Sequence, residues 1–168
     1  RSRTAALYAS QWMPIRPGTD TAAMLGLLHE LLRQEYVDRA FLSRYTTGFE
    51  LLERHVQGVD DGVPKTAAWA AAITGIPAAD LRDLARRYGA ARPAALLPGL
   101  SIQRTLGGEE SYRMAVALQA ATGNTGVPGG SSGRYSWGGL PGPACPAIPV
   151  PEVRGQRRIP VAVWSRQV

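Results

Sequence analysis

The chain has 168 residues, 45% of them hydrophobic, enough for one domain with a buried core and too apolar for a wholly disordered polymer. The formal charge of +6 comes from 19 basic and 13 acidic residues, with only Arg154, Arg157 and Arg158 bunched; that is a general bias toward anions, and no nucleic-acid partner is expected. A single cysteine, Cys145, excludes an internal disulfide and a cysteine-built zinc or iron-sulfur site within the chain.

The sequence starts at Arg1 without a methionine and shows neither a signal peptide nor an apolar run long enough to cross a bilayer. It is therefore expected to be an excised piece of a longer protein or to have lost a leader. Residues 5–15 mix small and bulky apolar groups and are expected to form a helical turn feeding a short buried strand that ends in Met13-Pro14-Ile15. The next five residues, Arg16-Pro17-Gly18-Thr19-Asp20, form a junction: Pro17 pushes Arg16 out of the helical region, Gly18 permits a bend, and Thr19 or Asp20 suits a helix cap. A strand-turn-helix junction of this kind presents unpaired N–H groups at a sheet edge, where α/β proteins bind nucleotides. An acidic residue there is poor for phosphate and good for ribose hydroxyls or guanine N–H groups. The residues alone leave two readings open, a plain cap and a ligand-binding edge.

From Thr21 the apolar residues Met24, Leu25, Leu27, Leu28, Leu31 and Leu32 recur at helical spacing, with His29 as a structural residue among them. A second helix is expected to hold Phe41, Leu42 and Tyr45, and a third, after Gly48, to hold Phe49, Leu51, Leu52 and Val56, with His55 on its solvated side. The breaker-rich run from Val59 to Pro64 lacks the alternating ligands of a calcium loop. A fourth helix runs from Lys65 to Ile73 and stops at Gly75; a fifth buries Leu81, Leu84, Ala85 and Tyr88 and ends at Gly89.

Pro93-Ala94-Ala95-Leu96-Leu97-Pro98-Gly99 is a continuous apolar run between breakers, expected as a central strand buried on both faces. It leads through Gln103 and Arg104 to Gly107-Gly108, and Glu109 and Glu110 then open a helix with Met114, Val116 and Leu118 in its interior. Residues 125–158 are a glycine- and proline-rich irregular segment, and 159–168 carry a final strand returning to the sheet. The expected fold class is thus α/β, a parallel but incomplete sheet flanked by helices over residues 1–124.

Read together, these segments resemble the molybdopterin oxidoreductases of the dimethyl sulfoxide reductase family. The resemblance rests on the run from Trp12 to Asp20 with its following helix, Tyr45-Thr46-Thr47-Gly48-Phe49, Asp61 to Thr66, Trp69 to Pro77, Leu84-Ala85-Arg86, Gly99 to Arg104, and Leu118 to Gly130. Pro149-Val150-Pro151 and Val163-Trp164-Ser165 resemble most the three-subunit, membrane-associated members. The resemblance implies part of a catalytic subunit that carries a bis(molybdopterin guanine dinucleotide) with molybdenum or tungsten, and an iron-sulfur cluster outside this chain. It makes residues 1–124 part of a Rossmann-like, dinucleotide-binding domain. It further implies an iron-sulfur electron-transfer subunit and a membrane anchor as partners besides the rest of the catalytic subunit, and a periplasmic or membrane-associated location. Gly18, Thr19 and Asp20 would bind the guanosine end, and Gly99, Gln103 and Arg104 would approach the cofactor from the second loop; no catalytic or metal-ligating residue is expected in this chain. Leu100 stands where many relatives carry Trp, which implies less aromatic shielding of the site. The implied reaction is oxygen-atom transfer from an S-oxide or N-oxide. The alternatives are a relative acting on nitrate, selenate, thiosulfate or formate, and a non-catalytic nucleotide- or anion-binding module.

Overall fold

A computed structural model describes residues 3–130, except for the side chains of Thr4 and Leu100. Helix α1 spans Arg3–Tyr8, α2 Asp20–Arg33, α3 Arg39–Tyr45, α4 Phe49–Val56, α5 Ala67–Thr74, α6 Ala78–Ala90 and α7 Glu109–Ala121, with a single 3-10 turn at Leu100–Gln103 before α7. No β-strand occurs among the described residues, so the α/β, Rossmann-like expectation is corrected to a helical assembly. The expected final strand at 159–168 and most of the segment 125–158 lie outside the described residues.

Helix α2 is the axis, packing against α4, α5, α6 and α7. On one side Met24, Leu28 and Leu31 join Val56, Ala85, Met114, Ala115, Leu118 and Ala121 in a buried cluster. On the other side Ala23 meets Ala67, Ala70, Ile76 and Leu81, with Met13 and Ile15 against them. The second contact is close because Gly26 has no side chain: a Cβ there would lie 2.6 Å from the Ala70 Cβ. Burying both flanks of a helix removes most of its apolar surface from water, at about 25 cal/mol per Å². The expected helical face of α2 is therefore present, and it is wider than an amphipathic stripe.

Local signals set several boundaries. Asp38 accepts a hydrogen bond from the Phe41 amide at 2.9 Å and starts α3, and Thr66 accepts one from the Trp69 amide at 3.1 Å and starts α5. Gly75, at φ 80°, ends α5 as expected. Gly89 does not end α6, which runs to Ala90; it lies inside the helix, where a Cβ would come within 2.4 Å of the Tyr36 ring. Tyr45, Leu51 and Val116, placed in helices by the sequence, have exposed side chains. His29 is partly buried, its Nδ1 3.8 Å from Glu30 and without a hydrogen-bond partner among the described residues, and His55 is exposed.

The two expected strands are corrected. Residues 11–15 form no strand; Met13 and Ile15 instead cover the α5 and α6 side of α2. The run from Pro93 to Gly99 forms no strand and lies on the surface, with Leu97 86% exposed. Its polar backbone is held by side chains rather than by neighbouring strands. The Ala94 amide donates to Asn124 Oδ1 at 2.9 Å, and Gln119 Nε2 donates to the Ala94 carbonyl at 3.4 Å and to the Tyr88 hydroxyl at 2.7 Å. Asn124 is itself buried, its Nδ2 donating to Thr122 Oγ1 at 2.8 Å. Burial pushes the Tyr88 phenol above its ordinary value.

Candidate functional site

Helices α2 and α7 run side by side in the same sense. Near their starts Thr21 Oγ1 and Ser111 Oγ are 2.8 Å apart, and at the far end the Asp38 amide donates to the Ala121 carbonyl at 2.7 Å. Two helix N-termini thus emerge together, each preceded by a loop that contains the expected site residues. Residues 16–20 lead into α2, and residues 99–104 precede α7.

The first loop is anchored from behind. The Arg16 guanidinium donates to the Ala72 and Ile73 carbonyls at 3.0 and 3.1 Å, and the Arg16 amide donates to the Thr74 carbonyl at 2.9 Å, so Arg16 closes the C-terminal end of α5. Gly18 has φ 79°, a left-handed conformation that favours glycine, and nothing lies within 4 Å of the position a Cβ would take. The expected cap is corrected: Thr19 occupies the N-cap position, but its hydroxyl donates to the Arg16 carbonyl at 2.7 Å, and among the described residues no side chain caps α2. Among the described residues the first-turn N–H groups of α2 have no side-chain acceptor, and they lie beside an open glycine face. Asp20, in that turn, is partly buried and has no ion pair or side-chain hydrogen bond among the described residues.

The second loop is an exposed 3-10 turn, with Gly99, Gln103 and Arg104 all exposed. The Tyr112 hydroxyl on α7 reaches the Gly99 carbonyl at 3.2 Å and the Pro98 carbonyl at 3.4 Å. Gly108 lies under the turn, where a Cβ would stand 2.6 Å from the Gln103 carbonyl carbon and oxygen. Neither Gly108 nor Tyr112 was expected at the site. Gly108 reads in sequence as half of a turn-forming pair, and only packing reveals its second task.

The donor chemistry narrows what this edge accepts. Asp20 stands in the first turn of α2, and Glu109 and Glu110 in that of α7; these carboxylates offset the positive helix ends and disfavour phosphate. They suit N–H and O–H donors of a base or a ribose. Arg104, in the second loop, is the cationic member. Open glycine backbone, an uncapped helix end, a free carboxylate acceptor, an exposed carboxamide and a guanidinium together fit a polar, nucleotide-bearing cofactor lying across two loops. Among the described residues no group of three histidine, cysteine or carboxylate side chains is placed to hold a metal, and no helix is long and apolar enough to cross a membrane.

A helical edge with two adjacent polar loops marks the candidate site of this helical protein. The family model for molybdopterin oxidoreductases matches residues 1–151, and the chain belongs to that family. It is 43% identical over 151 residues to a dimethyl sulfoxide/trimethylamine N-oxide reductase of Cereibacter sphaeroides, covering 88% of this chain and 18% of that protein. It is 38% identical over 143 residues to dimethyl sulfoxide reductase DmsA of Escherichia coli, covering 77% of this chain and 18% of that protein. The chain thus spans about a fifth of the length of these relatives. Among solved structures, the acetylene hydratase of Pelobacter acetylenicus superposes with a TM-score of 0.65 at 27% identity, over 75% of this chain and 16% of that one.

Proposed function

We propose that the chain forms part of the catalytic subunit of a molybdenum-dependent S-oxide or N-oxide reductase and supplies one wall of its bis(molybdopterin guanine dinucleotide) site. The 43% identity to the Cereibacter reductase supports this reading most directly. The uncapped start of α2 beside Asp20 supports the placement of the cofactor. When bound, the cofactor supplies two-electron oxygen-atom transfer chemistry. The chain's own residues bind and orient it.

Asp20 accepts N–H bonds from the guanine, Gly18 lets the ribose and base approach the backbone, and Thr19 lines the same turn. Gln103 donates from its carboxamide to the pterin or its phosphate-bearing arm, Gly99 leaves room for that approach, and Arg104 balances the negative charge. The complete enzyme would carry its iron-sulfur cluster elsewhere in the catalytic subunit. It would pair with an electron-transfer subunit and a membrane anchor, and act in the periplasm or at its membrane.

A second reading keeps the cofactor and changes the reaction. The match to a hydratase favours it, because this segment also serves an enzyme whose name implies no oxygen-atom transfer. In the full-length protein, Asp20→Ala and Gln103→Ala should each lower bound guanine dinucleotide and turnover of dimethyl sulfoxide. Unchanged cofactor content in both variants would remove these residues from the site. Full cofactor without turnover of any S-oxide or N-oxide would favour the second reading.

A further inference from the structure

We infer that Gly108 and Tyr112 are positioning residues that seat the loop of residues 99–104 in its cofactor-facing geometry. The inference rests on reading that loop as a cofactor loop. Gly107 and Gly108 are adjacent, and the structure separates their tasks. Gly107 adopts φ 67° with nothing within 4 Å of a Cβ, so it is glycine for its conformation. Gly108 has φ -65° and ψ -21°, which any residue adopts. Its requirement is spatial: a Cβ would stand 2.6 Å from Gln103 C and O and 2.7 Å from Gln103 Cα. Those are backbone atoms that no rotamer change can move aside, so a side chain at 108 lifts Gln103 itself.

Tyr112 acts from the same helix on the other end of the turn. Its hydroxyl donates toward the Gly99 carbonyl at 3.2 Å, with the Pro98 carbonyl at 3.4 Å. One residue thus sets how closely the Gln103 end lies on α7, and the other tethers the Gly99 end one helical turn further along. The exposed polar face of the turn is left free for a ligand, while its position is dictated from beneath. Neither residue touches the cofactor on this reading.

The test uses the full-length protein, with amide hydrogen exchange across residues 99–104 and the rate of pterin release, read as fluorescence of the oxidised pterin after gel filtration. Gly108→Ala is expected to raise both by about tenfold, because backbone overlap cannot relax locally. Tyr112→Phe removes a single hydroxyl and should raise both by about threefold or more; it carries the test if Gly108→Ala does not fold. Gly107→Ala, strained but in open space, should change both less than Gly108→Ala. Gln103→Ala should speed pterin release and leave exchange unaltered. Unchanged exchange in both Gly108→Ala and Tyr112→Phe overturns the seating role, with Gln103→Ala still reporting separately on the cofactor. Raised exchange with unchanged release in every variant, Gln103→Ala included, shows a seated loop that holds no cofactor and overturns both readings.

Discussion

Replacing Asn124 by alanine in the 168-residue chain should cost far more than its position in a glycine-rich turn suggests. Asn124 is 2% exposed and its carboxamide makes two bonds, accepting from the Ala94 amide at 2.9 Å and donating to Thr122 Oγ1 at 2.8 Å. Thr122 keeps its hydroxyl bond to the Leu118 carbonyl at 3.0 Å, so it loses one partner of several. The Ala94 amide has no such reserve and is left without its acceptor. A stranded donor costs about 1–3 kcal/mol and a lost neutral hydrogen bond about 1 kcal/mol, giving roughly 2–4 kcal/mol in all. Leu97→Ala is the companion variant. In a central strand it would cost about 2–5 kcal/mol; at 86% exposure it should cost less than about 0.5 kcal/mol. Urea denaturation followed by tryptophan fluorescence measures both. A costly Leu97→Ala with a silent Asn124→Ala would restore the strand and refute the side-chain strap.

Other expectations concern packing, charge and the first loop. Gly26→Ala should destabilise by about 1–3 kcal/mol through overlap with Ala70, outweighing the helix-propensity gain of about 1 kcal/mol, as a lower melting temperature would record. Arg39 donates to both Glu53 oxygens at 2.6 Å and holds the Glu53 carboxyl below its ordinary value of 4.5. A lowered folded value stabilises above the unfolded value and loses that benefit as pH falls through the folded one. Arg39→Ala should therefore flatten the loss of stability below about pH 4.5, which urea titrations at stepped pH would resolve. Arg16→Ala removes two bonds to the end of α5, and exchange of the amides at residue 16 and at residues 18–20 should rise by about fivefold.

The helices were legible because their apolar residues recur at a spacing only a helix satisfies, as in the run from Met24 to Leu32. The strands misled because an apolar run between prolines looks the same whether neighbours or side chains satisfy its backbone. Here Asn124, Gln119 and Tyr112 do that work from 13 to 30 residues away, a distance no local pattern encodes. Glycines misled in a related way. Gly89 reads as a helix end and Gly108 as a turn former, yet each is glycine because the Tyr36 ring or the Gln103 backbone occupies the space of a side chain. The junction at residues 16–20 was visible as a helix entrance. That Thr19 turns back to Arg16, leaving the α2 terminus uncapped, was not visible, since a threonine there reads as a cap.

The most direct measurement is on the full-length protein purified without oxygen: molybdenum by elemental analysis and released guanine nucleotide by mass spectrometry, for wild type and Asp20→Ala. Molybdenum together with guanine nucleotide in the wild type, and a marked loss of the nucleotide in the variant, is the predicted result. A folded wild-type protein that carries neither, or an Asp20→Ala variant that keeps its full complement, would contradict the assignment of this helical edge to the cofactor.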